Sequence, residues 1–218
     1  MSEDKRITKK PDLTTLSKTI NAFSINSSQE SMLIKFLKEL VIHNKLTNLV
    51  GKSTLENPWR SHILDCIQIS SFIKNRNSTI LDMGTGPGLP GLVLAIIGYK
   101  NVNLVDSNRK KINFVKHIAT KLNIGVKIYL SRIEKLNDSK FDFLISRALA
   151  NLNKLFIYSH KLIDKDTVLI FLKGKKVKNE IHEAKKIWSF NSEIYPSQSD
   201  ERGSVLIVKN LKLKIWLK

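Results

Sequence analysis

The first third of the chain has the hydrophobic pattern of helices. Apolar residues recur every three or four positions, which is the spacing of one helix face. The pattern predicts a helix over residues 12–22, a second helix capped by one of the serines Ser27-Ser28, and a third helix after Pro58. The third helix would direct five apolar residues inward: Trp59, Ile63, Cys66, Ile67 and Ile69. We therefore expect a helical N-terminal extension over residues 1–74, beginning with a basic tail over residues 1–12.

Beyond Thr79 the pattern changes to short β-branched runs that alternate with segments of helical length. Five runs predict strands, at residues 79–83, 102–106, 126–130, 141–146 and 167–173. Four segments have helical periodicity, at residues 89–98, 108–123, 150–163 and 176–189. This alternation predicts an α/β domain over residues 75–218 with a mostly parallel, doubly wound sheet. The last run, 204–209, follows a turn-rich stretch, which favours an antiparallel C-terminal strand near the sheet edge.

A glycine-rich loop follows the first predicted strand and precedes a helix. Strand, glycine loop and helix place a nucleotide-like ligand beyond the carboxyl end of the strand. Glycine suits the loop because it adopts positive φ and lets a ligand approach the backbone, although a purely structural turn is the alternative. The dinucleotide fingerprint requires a glycine at position 89, which is Leu89 here. The glycines at 84, 86 and 88, preceded by Asp82, resemble motif I of S-adenosylmethionine-dependent methyltransferases.

A second acidic residue, Asp106, ends the second predicted strand. It lies about 20 residues past the glycines, where a carboxylate accepts the two hydroxyl groups of a ribose. This feature suits NAD and S-adenosylmethionine equally, so it indicates an adenosine-containing ligand. The alternative is that Asp106 only caps the helix that begins near Asn108.

Charge and composition limit the class of protein. The chain of 218 residues has 37 Lys and Arg against 19 Asp and Glu, a net charge of +18. This excess favours a nucleic-acid partner, although a lysine-rich proteome would make metabolic enzymes basic as well. The sequence has no run of 18 apolar residues and no signal-peptide core, so we expect no membrane partner. The single cysteine, Cys66, excludes an internal disulfide and a thiolate-rich zinc site, which favours the reducing cytoplasm.

The fourth predicted strand indicates the kind of acceptor. Its end, Phe143-Leu144-Ile145-Ser146-Arg147-Ala148, lacks the proline and aromatic residues typical of enzymes that methylate exocyclic amines. Methylation at carbon 5 of pyrimidines needs a thiolate, but Cys66 lies in the helical extension. The strand ends also lack a carboxylate or histidine cluster for oxygen methylation. These absences favour a nucleophile that needs no deprotonation, such as N7 of guanine.

Several stretches together carry a family resemblance. The residues over 82–91 resemble the glycine loop of the bacterial RsmG (GidB) family of 16S rRNA methyltransferases, which has a Rossmann-like class I methyltransferase fold. Two further matching stretches precede this loop, at 44–49 and 62–66, and others follow it in order, at 104–107 with 109–111, 131–134, 145–148 and 171–174. The resemblance covers roughly residues 20–210, with Met83 and Leu149 as mild departures.

The resemblance implies a reaction and a set of site residues. The reaction is transfer of a methyl group from S-adenosylmethionine to N7 of a guanine near the decoding region of 16S rRNA, alone or in the small ribosomal subunit. Gly84 and Leu89 would contact the cofactor, and Ile133 and Glu134 would border its adenine. Arg147 would face both the cofactor and the entering base, as the catalytic residue.

The basic residues near the strand ends each have two interpretations. Arg147 could bind guanine O6 or a phosphate, or it could form an ion pair with Asp142 or Glu134. Lys173 ends the fifth strand and is a candidate RNA contact or a solvated side chain. Arg109 belongs to a basic run at a helix start, which the helix dipole disfavours and an RNA phosphate would offset.

We therefore predict an S-adenosylmethionine-dependent rRNA guanine-N7 methyltransferase that acts as a cytoplasmic monomer without a metal. His43 and His62 are expected to be structural or RNA-facing. Two alternatives stay open at this point. One is an NAD(P)-dependent oxidoreductase, and the other is an RNA-binding module with a Rossmann-like domain that no longer catalyses.

Overall fold

The computed structural model describes residues 13–136 and 139–214. The predicted basic tail over 1–12 and the last four residues of the chain lie outside this part. In the part described, no helix is long and apolar enough to cross a membrane.

Seven strands form one sheet in the order β3-β2-β1-β4-β5-β7-β6. Their bounds are β1 Thr79–Met83, β2 Asn101–Asp106, β3 Lys127–Leu130, β4 Phe143–Arg147, β5 Val168–Lys173, β6 Trp188–Pro196 and β7 Ser204–Leu213. Strands β1 to β5 pair in parallel, whereas β7 is antiparallel to both of its neighbours, β5 and β6. The predicted mostly parallel sheet and the antiparallel C-terminal strand near its edge are confirmed.

Strand β6 differs from the sequence prediction. The sequence indicated a helix to residue 189 and then a turn-rich connection, but the helix ends at Ile187 and a nine-residue strand follows. Only Trp188 and Phe190 of this strand are buried. As the outer strand of the sheet, β6 therefore lacks the apolar run that marks a central strand.

Helices cover both faces of the sheet. The helices between strands are α4 Gly91–Ile96, α5 Arg109–Lys121, α6 Leu152–Ser159 and α7 Val177–Ile187. Side chains of α4 and α5 belong to one hydrophobic cluster, and those of α6 and α7 belong to a second cluster. Successive residues Ile80 and Leu81 of β1 enter opposite clusters, as the alternation of side chains along a strand requires.

The N-terminal part is helical, as predicted. It contains α1 Leu13–Ala22, α2 Ser27–Asn44, a short 3₁₀ turn Lys52–Leu55 and a helical segment over residues 59–72. This segment consists of a π-helical turn, Trp59–Leu64, then α3 Asp65–Ile67 and then a 3₁₀ turn, Gln68–Phe72. The cap of α2 is Asn26 rather than a serine, because the Asn26 side chain accepts from the Gln29 amide and the Gln29 side chain accepts in return.

The N-terminal helices share their core with the sheet. The five residues predicted to face inward after Pro58 are all buried. They pack in the same cluster as Phe36 of α2, Leu92 of α4 and Ile80 of β1. The boundary proposed near residue 74 therefore separates helices from strands along the chain, while side chains from both sides pack in one cluster.

Gly91 gives a test of this packing. A Cβ at position 91 would overlap Leu104 Cδ2 of β2 and lie 2.9 Å from Asp82 Oδ2, in a region that is fully buried. We expect Gly91→Ala to lower the free energy of unfolding by about 1–3 kcal/mol, as overpacking does. Urea denaturation measures the change. Gly125→Ala is the control, because its added Cβ would meet nothing within 4 Å; equal effects of the two changes would contradict the packing described.

Candidate active site

A cavity of about 980 Å³ lies at the carboxyl ends of β1, β2 and β4. Four of the residues predicted to contact the cofactor line it: Gly84, Leu89, Asp106 and Arg147. Parallel strands place their carboxyl ends at one edge of the sheet, which is why residues up to 63 positions apart in the chain meet here. Much of the remaining wall comes from residues 49–54, from the helical segment over 59–72 and from the loop between β6 and β7.

The glycine loop folds back against β2. Gly84, Gly86 and Gly88 all have positive φ, at 67°, 58° and 96°. The Thr85 amide donates to the Val105 carbonyl at 3.0 Å. A Cβ added to Gly86 would meet nothing within 4 Å, so the cavity is open to the loop backbone at this residue. The loop therefore leaves room for a ligand to approach the main chain.

Asp82 holds the glycine loop from behind. Its Oδ2 accepts from Thr85 Oγ1 at 2.6 Å and from the Gly91 amide at 2.8 Å. The carboxyl is completely buried, and this burial raises its pKa to about 7. Its Oδ1 has no hydrogen-bond partner among the described residues. The residues that line the cavity do not include Asp82, so its contacts shape the loop rather than an acidic slot for the ligand.

Asp106 connects the glycine loop to the end of β2. Its Oδ2 accepts from the Gly86 amide at 2.9 Å, and its Oδ1 accepts from the Asn108 amide at 2.8 Å. The cap of α5 is Asn108 itself, whose side chain accepts from the Lys111 amide. Asp106 is half-buried and lines the cavity, and each carboxylate oxygen can accept a second hydrogen bond. An acceptor beside an open glycine backbone fits the ribose of an adenosine-containing ligand.

Arg147 projects from the end of β4 to the N-terminal helical segment. Its Nη1 donates to the Ser61 carbonyl at 2.9 Å and to Asp65 Oδ2 at 3.1 Å. Neither acid proposed from the sequence pairs with it. Asp142 instead accepts from the Thr79 amide and hydroxyl at the start of β1. The partner of Arg147 is Asp65, 82 positions away.

His62 fixes the orientation of the same guanidinium. Arg147 Nη2 lies 3.2 Å from His62 Nδ1, and a guanidinium can only donate, so Nδ1 accepts and the ring proton lies on Nε2. That proton points to Thr54 Oγ1 at 3.1 Å, and Thr54 donates to the Gly51 carbonyl. Burial and the charge of Arg147 lower the pKa of His62 to about 3. His62 is therefore neutral and hydrogen-bonded through both nitrogens.

The loop between β6 and β7 is fastened to the same helical segment. Ser199 Oγ donates to Asp65 Oδ1 at 2.6 Å, and Arg60 Nε donates to the Ser199 carbonyl at 2.6 Å. The Gln68 side chain adds bonds to Ser197 Oγ and to the Gln198 amide. Asp65 thus joins β4, the helical segment and the C-terminal loop through one carboxylate.

The other predicted residues lie outside this cavity. Ile133 is buried in the second hydrophobic cluster, and Glu134 is exposed on a separate cleft beside α6. Arg109 is exposed at the start of α5, and Lys111, two residues later, reaches the cavity wall. Lys173 is not a solvated side chain: it lies 2.6 Å from Glu180 Oε2 and is only 8% exposed.

Sequence reasoning missed the partners of Arg147. The sequence indicated no role for Asp65 and Ser61, which bind Arg147, or for Ser199, which binds Asp65. His62 and Asp65 are three residues apart, which places them on one side of a helix. That spacing was the available signal. It indicates a shared target but does not identify which distant residue the pair contacts.

A further cluster joins α2 to α5 away from the cavity. Glu39, His43 and His117 bring one potential metal-ligand atom each within 4.8 Å of the others. Lys121 Nζ already pairs with Glu39 Oε1 at 2.8 Å, and this bond holds the pKa of Glu39 below its ordinary value. His43 Nδ1 also contacts the Glu39 carbonyl. We interpret the cluster as an ion-paired contact between the two helices.

Comparisons with known proteins agree with this geometry. Residues 29–203 match the model of the family named rRNA small subunit methyltransferase G. A ribosomal RNA small subunit methyltransferase G of Rickettsia prowazekii is 36% identical over 168 residues, covering 77% of this chain and 87% of the relative. A namesake from Caulobacter vibrioides is 38% identical over 184 residues, covering 82% of this chain and 84% of the relative.

Solved structures agree on the fold. The ribosomal protein L11 methylase of Lactobacillus delbrueckii has a TM-score of 0.56 at 19% identity, over 73% of this chain and 79% of that chain. A Pyrococcus horikoshii protein has a TM-score of 0.58 at 16% identity, over 78% of this chain and 96% of that chain. The sheet and its helices therefore have the Rossmann-like arrangement of methyltransferases.

The neutral state of His62 predicts a pH dependence of stability. Its pKa is lower in the folded chain than the ordinary value of 6.5, so the unfolded chain binds the proton more tightly and stability falls as the pH drops below about 6.5. One such group contributes up to about 1.4 kcal/mol per pH unit. In His62→Gln the amide can still accept from Arg147 and donate to Thr54 but does not titrate.

Between about pH 6.5 and 5 we expect the wild type to lose roughly 2 kcal/mol more stability than His62→Gln, because only the wild type takes up this proton. Urea denaturation at a series of pH values measures the difference. His160→Gln makes the same substitution at an exposed histidine and is the control for the change of residue type. Parallel pH profiles for the wild type and His62→Gln would show that His62 is not held neutral.

Proposed function

Because this chain belongs to the rRNA small subunit methyltransferase G family, we propose that it methylates N7 of a guanine in 16S rRNA. The family establishes a methyltransferase that uses S-adenosylmethionine and acts on the RNA of the small ribosomal subunit. This excludes the alternatives of an NAD(P)-dependent oxidoreductase and a non-catalytic RNA-binding module. The choice of guanine and of its N7 atom is our proposal.

The observation that carries the proposal is the state of the groups around Arg147. His62 is neutral with both nitrogens engaged, and Asp65 is bound to Arg147 and Ser199. The Cys66 thiol is completely buried, and burial raises its pKa far above the ordinary value. None of these three groups is available to take a proton from an acceptor. The arrangement therefore suits a nucleophile that has a lone pair without deprotonation, and guanine N7 is such an atom.

The cofactor would lie along the glycine loop. We propose that Gly84 and Leu89 contact it and that Asp106 accepts its ribose hydroxyls. Ile133 and Glu134 lie outside the cavity, but the segment that carries them begins beside Asp106, where the Ser131 amide donates to the Asp106 carbonyl. We propose that these two residues border the adenine where it extends past Asp106. Asp106 already accepts from the Gly86 amide, so the glycine loop and the carboxylate would both contact the ligand at this point. The pocket formed by an open glycine, a half-buried acid and the buried Leu89 provides both polar and apolar contacts.

The residues of the chain would act mainly by orientation. Bound S-adenosylmethionine would supply a methyl group on a sulfonium, which guanine N7 would take as the sulfur–carbon bond breaks, with the bonding electrons left on sulfur. The positive charge would pass to the guanine ring, so the residues of the site would have no proton to remove. Holding two reactants in line can lower a barrier by several kcal/mol without a general base. We propose that Arg147, fixed by Asp65 and His62, is the residue that faces both reactants.

The RNA partner fits the charge of the protein. A net charge of +18 provides the phosphate contacts that dominate affinity for nucleic acids, and these contacts weaken with salt. Arg109 is exposed at the start of α5, close in sequence to Lys111 on the cavity wall. We propose that this basic run contacts the RNA backbone beside the cofactor site.

Three further features belong to the proposal. We propose that the reaction needs no metal, because the proposed nucleophile needs no activation. We propose a cytoplasmic location, because the substrate belongs to the ribosome. We also propose that the enzyme acts as a monomer, which light scattering of the protein bound to S-adenosylhomocysteine tests.

Asp106 gives a test of the cofactor site. We expect Asp106→Ala to raise the Kd for S-adenosylhomocysteine at least tenfold, because hydrogen bonds to a charged acceptor contribute about 1.5–3 kcal/mol. Calorimetric titration measures the change, and circular dichroism checks that the variant is folded. Asp166→Ala, which removes an exposed acid before β5, is the matched control. Wild-type affinity in a folded Asp106→Ala protein would remove Asp106 from the cofactor site.

The acceptor is tested directly on RNA. We expect 16S rRNA from cells with the gene to carry one N7-methylguanosine that is missing from cells without it, because N7 is the proposed acceptor atom. Reduction and aniline cleavage followed by primer extension locate this nucleotide, since both steps depend on the modified ring. Re-expression of the wild type is the control and restores the signal. Identical cleavage patterns with and without the gene would refute the proposed acceptor.

A further inference from the structure

A second cavity of about 440 Å³ adjoins the first at the ends of β4 and β5. Arg147, Ala148 and Leu149 line both cavities, so the end of β4 forms their common wall. Ala148 has a positive φ of 51°, a conformation that is uncommon for a residue with a side chain. The chain turns sharply at Ala148, directly after Arg147, and the backbone that leaves the sheet here lies between the two cavities.

An ion pair forms part of the wall of the second cavity. Lys173, at the end of β5, lies 2.6 Å from Glu180 Oε2 of α7 and also donates to the Ala150 carbonyl at 3.0 Å. The same Glu180 oxygen accepts from the Leu152 amide at 2.8 Å. With side-chain exposures of 8% and 22%, both residues are held in place by these bonds and by burial.

Each member of the pair retains one unused hydrogen-bonding position. The Lys173 ammonium has three N–H groups, of which two are engaged with described residues. Glu180 Oε1 has no partner among the described residues, whereas Oε2 has two. Both residues line the second cavity. The cavity therefore offers a cationic donor next to an anionic acceptor.

This donor and acceptor match one edge of guanine. Guanine presents the O6 acceptor next to the N1–H and N2–H donors, whereas adenine presents a donor at position 6 and an acceptor at N1. Resting on the function proposed above, we propose that the second cavity is the guanine pocket, in which Lys173 binds O6 and Glu180 Oε1 accepts from N1–H and N2–H. Enzymes that act on an unstacked base commonly read its Watson–Crick edge in this way.

The proposed orientation leaves N7 accessible. N7 lies on the other side of O6 from N1, so a base held by its Watson–Crick edge keeps N7 free to face the common wall at Arg147 and Leu149. The ion pair thus selects the base, while Arg147 stands between base and cofactor.

Glu180→Gln separates recognition from folding. The position of Oε2 lies between two donors, Lys173 and the Leu152 amide, so the amide oxygen of Gln must occupy it and the NH₂ group must point into the cavity. The Oε1 acceptor for N1–H is thereby replaced by an NH₂ donor, while the size and shape of the side chain change little. We expect kcat/KM for the RNA to fall roughly tenfold to a hundredfold, with unchanged affinity for S-adenosylhomocysteine.

The control is Glu183→Gln on the same helix, where the carboxylate pairs, within the described part of the chain, with the exposed Lys186 alone. It should methylate RNA at the wild-type rate. If Glu180→Gln also does so, the guanine pocket is wrong. If Glu180→Gln loses cofactor affinity as well, Glu180 acts through the fold and the pocket is equally wrong.

Replacing the target guanine by inosine provides the second measurement. Inosine keeps N7, O6 and N1–H but lacks the N2 amino group. We expect the wild type to methylate inosine RNA roughly tenfold more slowly than guanine RNA, and Glu180→Gln to show a much smaller difference, because its acceptor is already lost. Equal discrimination in both proteins would overturn the role of Glu180. Failure of the wild type to form any N7-methylguanosine would instead overturn the proposed function, so the two failures are distinguishable.

Discussion

The ion pair between Arg147 and Asp65 is the contact on which the active edge depends. A guanidinium held at the end of a buried strand must be paired, because an uncompensated charge there would cost several kcal/mol. The pairing with Asp65 holds the N-terminal helical segment over the strand ends. The other oxygen of the same carboxylate, Oδ1, accepts from Ser199 of the C-terminal loop. One charge pair therefore sets the position of three chain segments and defines the wall between the two cavities.

Much of the fold follows from local sequence rules. Alternating strands and helices, glycines at positive φ and an acid at the end of β2 are encoded in short stretches, so Gly84, Leu89 and Asp106 could be brought to one cavity from the sequence. The partners of buried charges could not be predicted from the sequence. Arg147 meets Asp65 across 82 positions, and many acids satisfied the same sequence requirement. The sequence likewise left Lys173 open between an RNA contact and a solvated side chain, because its partner Glu180 lies on the following helix.

The titration states at this edge fit a reaction without proton transfer. His62 stays neutral because Arg147 and burial disfavour its charge, and its two nitrogens complete a chain of hydrogen bonds from Arg147 to the Gly51 carbonyl. His62 and Asp65 are thereby used for positioning Arg147. Specificity must then come from the shape and hydrogen bonds of the acceptor pocket, which is where the bound Lys173 and Glu180 pair belongs.

The antiparallel strand β7 has a consequence for how the active edge can vary. Because β6 runs parallel to the central strands and β7 returns beside it, their connecting loop emerges at the same edge as the glycine loop. A hairpin loop can lengthen or shorten without rethreading the sheet, since it is not part of a crossover connection. Beside the glycine loop the chain thus carries a segment in which insertions could refit the enzyme to a differently shaped RNA, while the hydrogen bonds of Ser199 to Asp65 and Arg60 keep that segment anchored.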